Sequence, residues 1–126
     1  MSRILIVDDE HDIVEMIRFA LEADGHEVHE AKDGMDGLEK ARALVPDIIL
    51  LDVMMPKLDG YKVCRMLKFD SKYREIAIVL LTARTGFKDV TIGMEVGADR
   101  YLTKPFDVSE VVDLVNQITG DGHAAG

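Results

Sequence analysis

Three short apolar runs constrain the fold of this 126-residue chain more than any other feature of its sequence. They occupy residues 4–7, 48–51 and 76–81 and consist almost entirely of Ile, Val and Leu. Runs of this length and composition are typical of strands buried on both faces of a sheet. Two more polar segments, residues 27–31 and 100–103, are predicted to be edge strands.

Apolar residues between these segments recur at helical spacing, and five amphipathic helices are predicted. Their apolar stripes are Ile13, Val14, Ile17 and Leu21; Leu38, Ala41 and Val45; Val63, Met66 and Leu67; Phe87, Val90 and Met94; and Val108, Val111, Val112, Val115 and Ile118. Strict alternation of strand and helix predicts an α/β fold with a five-stranded parallel sheet and helices on both faces. Right-handed crossovers favour the flavodoxin-like strand order 2-1-3-4-5. We expect one domain over residues 1–119 and a flexible tail over 120–126.

Charge and composition exclude several classes of function. The chain has 15 Lys and Arg against 24 Asp and Glu, a net charge of −9, which disfavours direct nucleic-acid binding. Its single cysteine excludes a disulfide framework within the chain and a cysteine metal cluster. No segment approaches the roughly 18 apolar residues of a membrane span. We therefore expect a cytoplasmic protein.

Polar residues follow the predicted strands where each strand ends. Asp8 and Asp9 follow the first strand, Asp52 the third, Thr82 the fourth and Lys104 the fifth. The carboxyl ends of parallel strands meet at one edge of the sheet, near the point where strand order reverses. We expect these side chains to share one crevice, in which three carboxylates and one lysine favour a Mg²⁺ ion.

An ionised aspartate beside Mg²⁺ and lysine can act as a nucleophile and form an acyl phosphate. Phosphoryl transfer depends mainly on positioning and on neutralising charge on three equatorial oxygens. The metal, the Lys104 ammonium and the Thr82 hydroxyl are three suitable partners. The pattern therefore indicates phosphoryl transfer to an aspartate.

The sequence resembles the receiver domain of two-component response regulators over residues 3–119. The matching segments, in order, are Ile-Val-Asp-Asp-Glu at 6–10, Leu-Asp-Val-Met-Met-Pro at 51–56, Asp-Gly at 59–60, Leu-Thr-Ala at 81–83, and the stretch from Gly97 to Phe106. The resemblance implies that Asp52 accepts a phosphoryl group from a histidine kinase or a histidine phosphotransfer protein. It also implies a Mg²⁺ site formed by Asp8, Asp9, Asp52 and the backbone carbonyl of Met54.

The same resemblance assigns the remaining site residues. Lys104 would contact the phosphoryl group and precede a cis peptide bond to Pro105. Thr82 and Tyr101 would move together as a switch, although Tyr101 alone is more typical of edge-strand packing. The signal would pass to a protein target through the fourth helix, the fifth strand and the fifth helix. Catalysis would be limited to the domain's own phosphorylation and dephosphorylation.

Alternative interpretations remain at this point. The chain would also fit a receiver fragment of a longer regulator with a DNA-binding or enzymatic output domain. A phosphatase of the haloacid-dehalogenase kind is disfavoured, because its nucleophile lies on the first strand in an Asp-x-Asp arrangement. A flavodoxin-like cofactor module would need hydroxyls and glycines in the first loop, where this chain has carboxylates. Asp9 or Glu10 would also serve as a helix cap, and Cys64 as inert packing.

Overall fold

The computed structural model describes residues 1–55, 58–82 and 95–120. In these residues, five strands form one parallel sheet in the order β2-β1-β3-β4-β5, which confirms the predicted fold class and strand order. The strands are β1 (Arg3–Val7), β2 (Glu27–Ala31), β3 (Ile48–Asp52), β4 (Ala77–Thr82) and β5 (Arg100–Thr103). Strands β3 and β4 extend one residue beyond their apolar runs, so that Asp52 and Thr82 are the last residues in the ladder.

Four helices flank the sheet in the described part of the chain. They are α1 (His11–Ala23), α2 (Gly34–Leu44), α3 (Gly60–Lys68) and the C-terminal helix (Val108–Thr119). The predicted stripe of Phe87, Val90 and Met94 lies outside the described residues. None of the helices in the described ranges is long and apolar enough to cross a bilayer.

The sheet separates two apolar cores, one on each face. One core packs α2 and α3 against the sheet, and the other packs α1 and the C-terminal helix against it. Tyr101 packs against the first core, whereas its neighbour Leu102 packs against the second. This division follows from the pleat, which sends successive side chains of a strand to opposite faces.

Two residues of the predicted stripes are exposed in the described part of the chain. Val45 follows α2, has a left-handed φ of 44° and is 53% exposed, because the helix ends just before Pro46. Met66 is exposed on α3, and Cys64 is fully buried beside Val63 instead. Burial raises the pKa of the Cys64 thiol to about 12, as expected of an inert packing residue.

One buried polar network lies in the second core. The backbone N–H of Ser2 donates to Nδ1 of His26, 3.1 Å away. The other ring nitrogen, Nε2, therefore carries the proton and donates to the side-chain oxygen of Asn116 at 2.9 Å. The Asn116 amide in turn donates to Asp24 at 2.8 Å. The network joins the start of β1, the end of α1 and the C-terminal helix.

Candidate functional site

The ends of four strands bring the predicted site residues together. Asp8 follows β1, Asp52 ends β3, Thr82 ends β4 and Lys104 follows β5. Strand pairing extends to the last residues of β3 and β4, since Asp52 pairs with Leu81 and Thr82 pairs with Thr103. Asp8, Asp52 and Thr82 are buried, and Asp52 is only 4% exposed. A buried carboxylate at the end of an apolar strand is costly unless charges and hydrogen bonds stabilise it.

Lys104 is the cation of this site. Its Nζ lies 2.9 Å from an oxygen of Asp8 and 2.8 Å from an oxygen of Glu10. Asp52 is further away, with 3.8 Å between Nζ and its Oδ2. The backbone N–H of Lys104 donates to the carbonyl oxygen of Thr82 at 2.7 Å, so the two residues are tied together. The predicted cis bond between Lys104 and Pro105 is present.

The electrostatics of Asp52 follow from its position. Burial and the nearby charge of Asp8 raise its pKa from 3.8 to about 6. Lys104 and the N–H of Met54, which donates to Asp52 Oδ1 at 3.2 Å, offset part of this increase in pKa. Asp9 raises the pKa further. Burial is thus the larger cause of the raised Asp52 pKa, and the carboxylate repulsion expected from the sequence adds to it.

Three carboxylates approach closely enough to share a metal ion. Oxygens of Asp8, Glu10 and Asp52 all lie within 4.8 Å of one another. A set of carboxylate oxygens is the ligand type that Mg²⁺ prefers. A cation there would also relieve the repulsion that raises the Asp52 pKa, so the residues present fit the predicted metal.

The other two predicted metal ligands, Asp9 and the backbone carbonyl of Met54, are not among these three carboxylates and stay predictions. Asp9 is exposed and does not join the close group, although it lines a pocket beside Asp8 together with His11 and Lys40. The side chain of Met54 is also exposed, and its backbone N–H is bound to Asp52. In the sequence, Glu10 belongs to the matching segment 6–10 and is a candidate helix cap, but no pattern predicts its contact with Lys104. The nearest signal in the sequence is the adjacency of Glu10 to Asp8 and Asp9, opposite Lys104.

The predicted switch residues lie on neighbouring strands. Thr82 ends β4, and Tyr101 pairs with Leu80 of that strand. Tyr101 is half-buried and packs against the α2–α3 core, in agreement with the packing interpretation. Their proposed coupled movement stays a prediction.

The start of α3 packs against the end of the strand that carries Asp52. Asp59 caps this helix, and its carboxylate accepts a hydrogen bond from the N–H of Lys62 at 3.0 Å. Gly60 follows, and its N–H donates to the carbonyl of Val53 at 3.3 Å. A β-carbon on Gly60 would stand only 2.3 Å from the carbonyl oxygen of Asp52. Glycine therefore allows the helix to begin against the strand that carries Asp52.

A flavodoxin-like sheet with acidic residues, a threonine and a lysine at its strand ends is the arrangement that the resemblance to receiver domains predicts. Residues 4–116 match the family described as the response regulator receiver domain, and this chain belongs to that family. The family is not in general one of catalytic enzymes. Membership of this family rules against the two alternatives of another class, the haloacid-dehalogenase-like phosphatase and the flavodoxin-like cofactor module.

Curated relatives agree with this assignment. The chain is 43% identical over 118 residues to the DNA-binding dual master transcriptional regulator RpaA of Synechocystis, covering 94% of this chain and 49% of RpaA. It is 46% identical over 117 residues to the alkaline phosphatase synthesis transcriptional regulatory protein PhoP of Bacillus subtilis, covering 93% of this chain and 48% of PhoP. The chain thus spans about half the length of the curated relatives it matches.

Solved structures show the same fold. The chemotaxis response regulator CheY4 of Vibrio cholerae matches with a TM-score of 0.88 at 32% identity, covering 94% of this chain and 98% of CheY4. The BeF₃-activated receiver domain of DrrB matches with a TM-score of 0.85 at 32% identity, covering 95% of this chain and 98% of that domain. The fold therefore occurs both in a chemotaxis protein and in the receiver domain of DrrB.

Proposed function

We propose that this domain is a phosphorylation switch whose phosphoacceptor is Asp52. The observation that carries the proposal is the burial of Asp52 at the end of β3, between Asp8 and Lys104, with a pKa raised to about 6. A carboxylate in this setting gains a neighbouring cation but remains destabilised by negative charge. Conversion to an acyl phosphate would add oxygens for Lys104 and Thr82 to bind.

The donor would be a phosphohistidine of a histidine kinase or a histidine phosphotransfer protein. An oxygen of Asp52 attacks the phosphorus, the phosphorus–nitrogen bond breaks, and the leaving imidazole nitrogen takes a proton from water. A new oxygen–phosphorus bond joins the phosphoryl group to Asp52. Lys104 neutralises charge on the transferred oxygens, and the hydroxyl of Thr82 donates to one of them.

The proposed metal site consists of Asp8, Asp9, Asp52 and the carbonyl of Met54, with one acid acting through water. We assign that role to Asp9, because it is exposed and outside the close group of carboxylates. When bound, Mg²⁺ supplies positive charge for the transferring phosphoryl oxygens. This ligand assignment is supported by the close approach of Asp8 and Asp52 and by the effect of Asp9 on the Asp52 pKa.

An apolar groove beside the site supports docking of the phosphoryl donor. Its volume is about 490 Å³, and Lys104 and Glu10 form one end of it. Its other lining residues are mostly apolar: Ile13, Met16, Ile17, Pro105, Phe106 and Val108. A donor protein that packs apolar side chains into this groove would bring its phosphohistidine close to Asp52, because Lys104 and Glu10 belong to both the groove and the site. We propose a cytoplasmic histidine kinase as this donor.

Met16 tests this docking surface, because it lines the groove and is exposed on α1. Met16→Glu should slow transfer from the kinase while leaving phosphorylation by acetyl phosphate unchanged. Met66→Glu, which adds the same charge at an exposed position on α3, is the matched control. An equal loss of the transfer rate in both variants would show that the groove does not dock the phosphoryl donor.

The output would be a protein surface that responds to Thr82 and Tyr101. Of the surface formed by the fourth predicted helix, β5 and the C-terminal helix, the helix predicted around Phe87 lies outside the described residues. The DNA-binding relatives favour a second candidate, in which this domain is the receiver part of a longer regulator. The DNA contacts would then belong to that output domain, in agreement with the acidic charge of this chain.

The direct test is incubation with acetyl phosphate and Mg²⁺ followed by intact mass measurement. We expect the mass of one phosphoryl group on the parent, and none on Asp52→Asn. Asp113→Asn, a matched change at an exposed position of the C-terminal helix, should react like the parent. A parent that gains no phosphoryl group, or an Asp52→Asn variant that still gains one, contradicts the proposal.

A further inference from the structure

The ammonium of Lys104 is held by two carboxylates. Asp8 and Glu10 accept hydrogen bonds from it at 2.9 and 2.8 Å, and the lysine side chain is only 12% exposed. An ammonium has three N–H donors in tetrahedral arrangement. With two donors directed at these carboxylates, the third is available on the side of Asp52, whose Oδ2 lies 3.8 Å from Nζ.

Glu10 is free to serve this contact because it does not cap its helix. It occupies the residue before α1, yet its side chain makes no capping hydrogen bond. Its backbone N–H donates to Asp8 Oδ1 at 2.9 Å, which fixes the main chain beside the site. The side chain, 54% exposed, reaches to Lys104 instead of the first turn of α1.

Asp8 and Glu10 differ in the number of cations that share their negative charge. Asp8 is a proposed metal ligand, so its negative charge is divided between the metal and Lys104. Glu10 is outside that proposed ligand set. A lysine side chain has four flexible carbons and needs anchors to hold a defined direction. Glu10 also lies within 4.8 Å of the oxygens of Asp8 and Asp52. In the proposed ligand set, however, its charge is not shared with the metal, so it is the anchor that is left to Lys104.

We propose that Glu10 is a positioning residue for phosphoryl transfer: its carboxylate holds the Lys104 ammonium so that one N–H is directed at the phosphoryl oxygens on Asp52. This inference rests on the proposed function of Asp52. Glu10 acts through Lys104 and does not touch the reacting atoms. Its loss should lower the rate of the transfer step and not the binding of acetyl phosphate.

Kinetics with acetyl phosphate at saturating Mg²⁺ separate these effects. Glu10→Ala should lower the maximal phosphorylation rate about tenfold with an unchanged KM, as expected when one charged hydrogen bond is lost from a transfer site. Glu10→Gln retains an acceptor oxygen and should lose less. Asp12→Ala, which removes an exposed acidic charge from the first turn of the same helix, should behave like the parent.

A spectroscopic measurement reports on Lys104 without activity. The side-chain ammonium of a held lysine exchanges slowly enough to give a nitrogen–proton NMR signal. We expect this Lys104 signal in the parent and in Asp12→Ala, and its loss in Glu10→Ala. A variant that keeps the signal and reacts within twofold of the parent overturns the positioning role, as does an equal rate loss in Asp12→Ala. If the parent itself is not phosphorylated, the proposed function fails first, and the two failures are thereby distinguished.

Discussion

Gly60 lies directly against the backbone of Asp52, since a β-carbon at residue 60 would stand 2.3 Å from the Asp52 carbonyl oxygen. Gly60→Ala must therefore displace either the start of α3 or the end of β3. We expect a loss of about 1–3 kcal/mol in the free energy of unfolding, as for other overpacked sites. Phosphorylation by acetyl phosphate should also slow, because the carboxylate of Asp52 moves with its backbone. Urea unfolding and intact mass measure the two effects.

Gly37→Ala is the matched control for this prediction. A β-carbon there would meet the side chain of Val7 at 2.7 Å and not the backbone of the site. Stability should fall in both variants, but the phosphorylation rate, corrected for the folded fraction, should fall only in Gly60→Ala. Equal rates in the two variants would show that Gly60 has no influence on Asp52.

The pKa of Asp52 predicts a pH-dependent stability in the absence of metal. Its folded-state pKa of about 6 exceeds the ordinary value of 3.8, so the folded state binds the proton more tightly. The contribution of Asp52 to stability should therefore fall as pH rises from 3.8 to about 6. At pH 7.5 in EDTA, Asp52→Asn should be more stable than the parent by as much as about 3 kcal/mol.

Urea unfolding of both proteins from pH 3.5 to 8 checks this expectation. The difference between them should disappear below the ordinary pKa and reach a plateau above pH 7. Mg²⁺ should stabilise the parent at pH 7.5 and have less effect on Asp52→Asn. A difference that is constant with pH would mean that repulsion at Asp52 is not its source.

The Mg²⁺ affinities of single variants should distinguish the roles of the three consecutive acidic residues at positions 8–10. Asp8→Asn should lower Mg²⁺ affinity by more than the roughly 10–100-fold that loss of an outer-shell partner costs. Asp9→Asn should lower it about tenfold, in agreement with a ligand that acts through water. Glu10→Gln should leave the affinity within a factor of about three, because an exposed charge contributes little. Isothermal titration calorimetry measures all three, and a large loss for Glu10→Gln would make Glu10 a ligand.

Asn116 should stabilise the fold far from the site. Asn116→Ala removes the acceptor for Nε2 of the buried His26 and the donor to Asp24. A buried polar group left without its partner costs about 1–3 kcal/mol, and we expect a loss of this size on urea unfolding. Gln117→Ala, an exposed change at the next residue of the helix, should have little effect. Acetyl phosphate should still phosphorylate both variants.

The sheet was predictable from the sequence because its signals are local. Residues 27–31 and 100–103 form strands within their predicted bounds, and the apolar runs form the three central strands. The order of the strands followed from the alternation of strand and helix, from right-handed crossovers, and from the expectation that apolar strands are central and polar strands lie at the edges. Asp8, Asp52, Thr82 and Lys104 could be placed together for the same reason, since each follows or ends a strand of a parallel sheet.

Features that depend on side-chain direction were not predictable in this way. Val45 continues the helical spacing of α2, but Pro46 ends the helix first. Glu10 resembles a helix cap in sequence. Its carboxylate instead accepts a hydrogen bond from Lys104, which is 94 residues away in the chain. The bond between His26 and Asn116 spans 90 residues. Contacts of this kind are decided by tertiary packing, which no local pattern contains.

The opposite directions of Tyr101 and Leu102 limit how a signal can travel through β5. A rotation of the Tyr101 ring would rearrange only the side of the sheet that carries α2 and α3. The C-terminal helix contacts the other side, where Leu102 packs. A response carried by that helix therefore requires displacement of the β5 main chain itself, whereas a response carried by the Tyr101 side needs only a rotamer change. The two routes are mechanically separable within one strand.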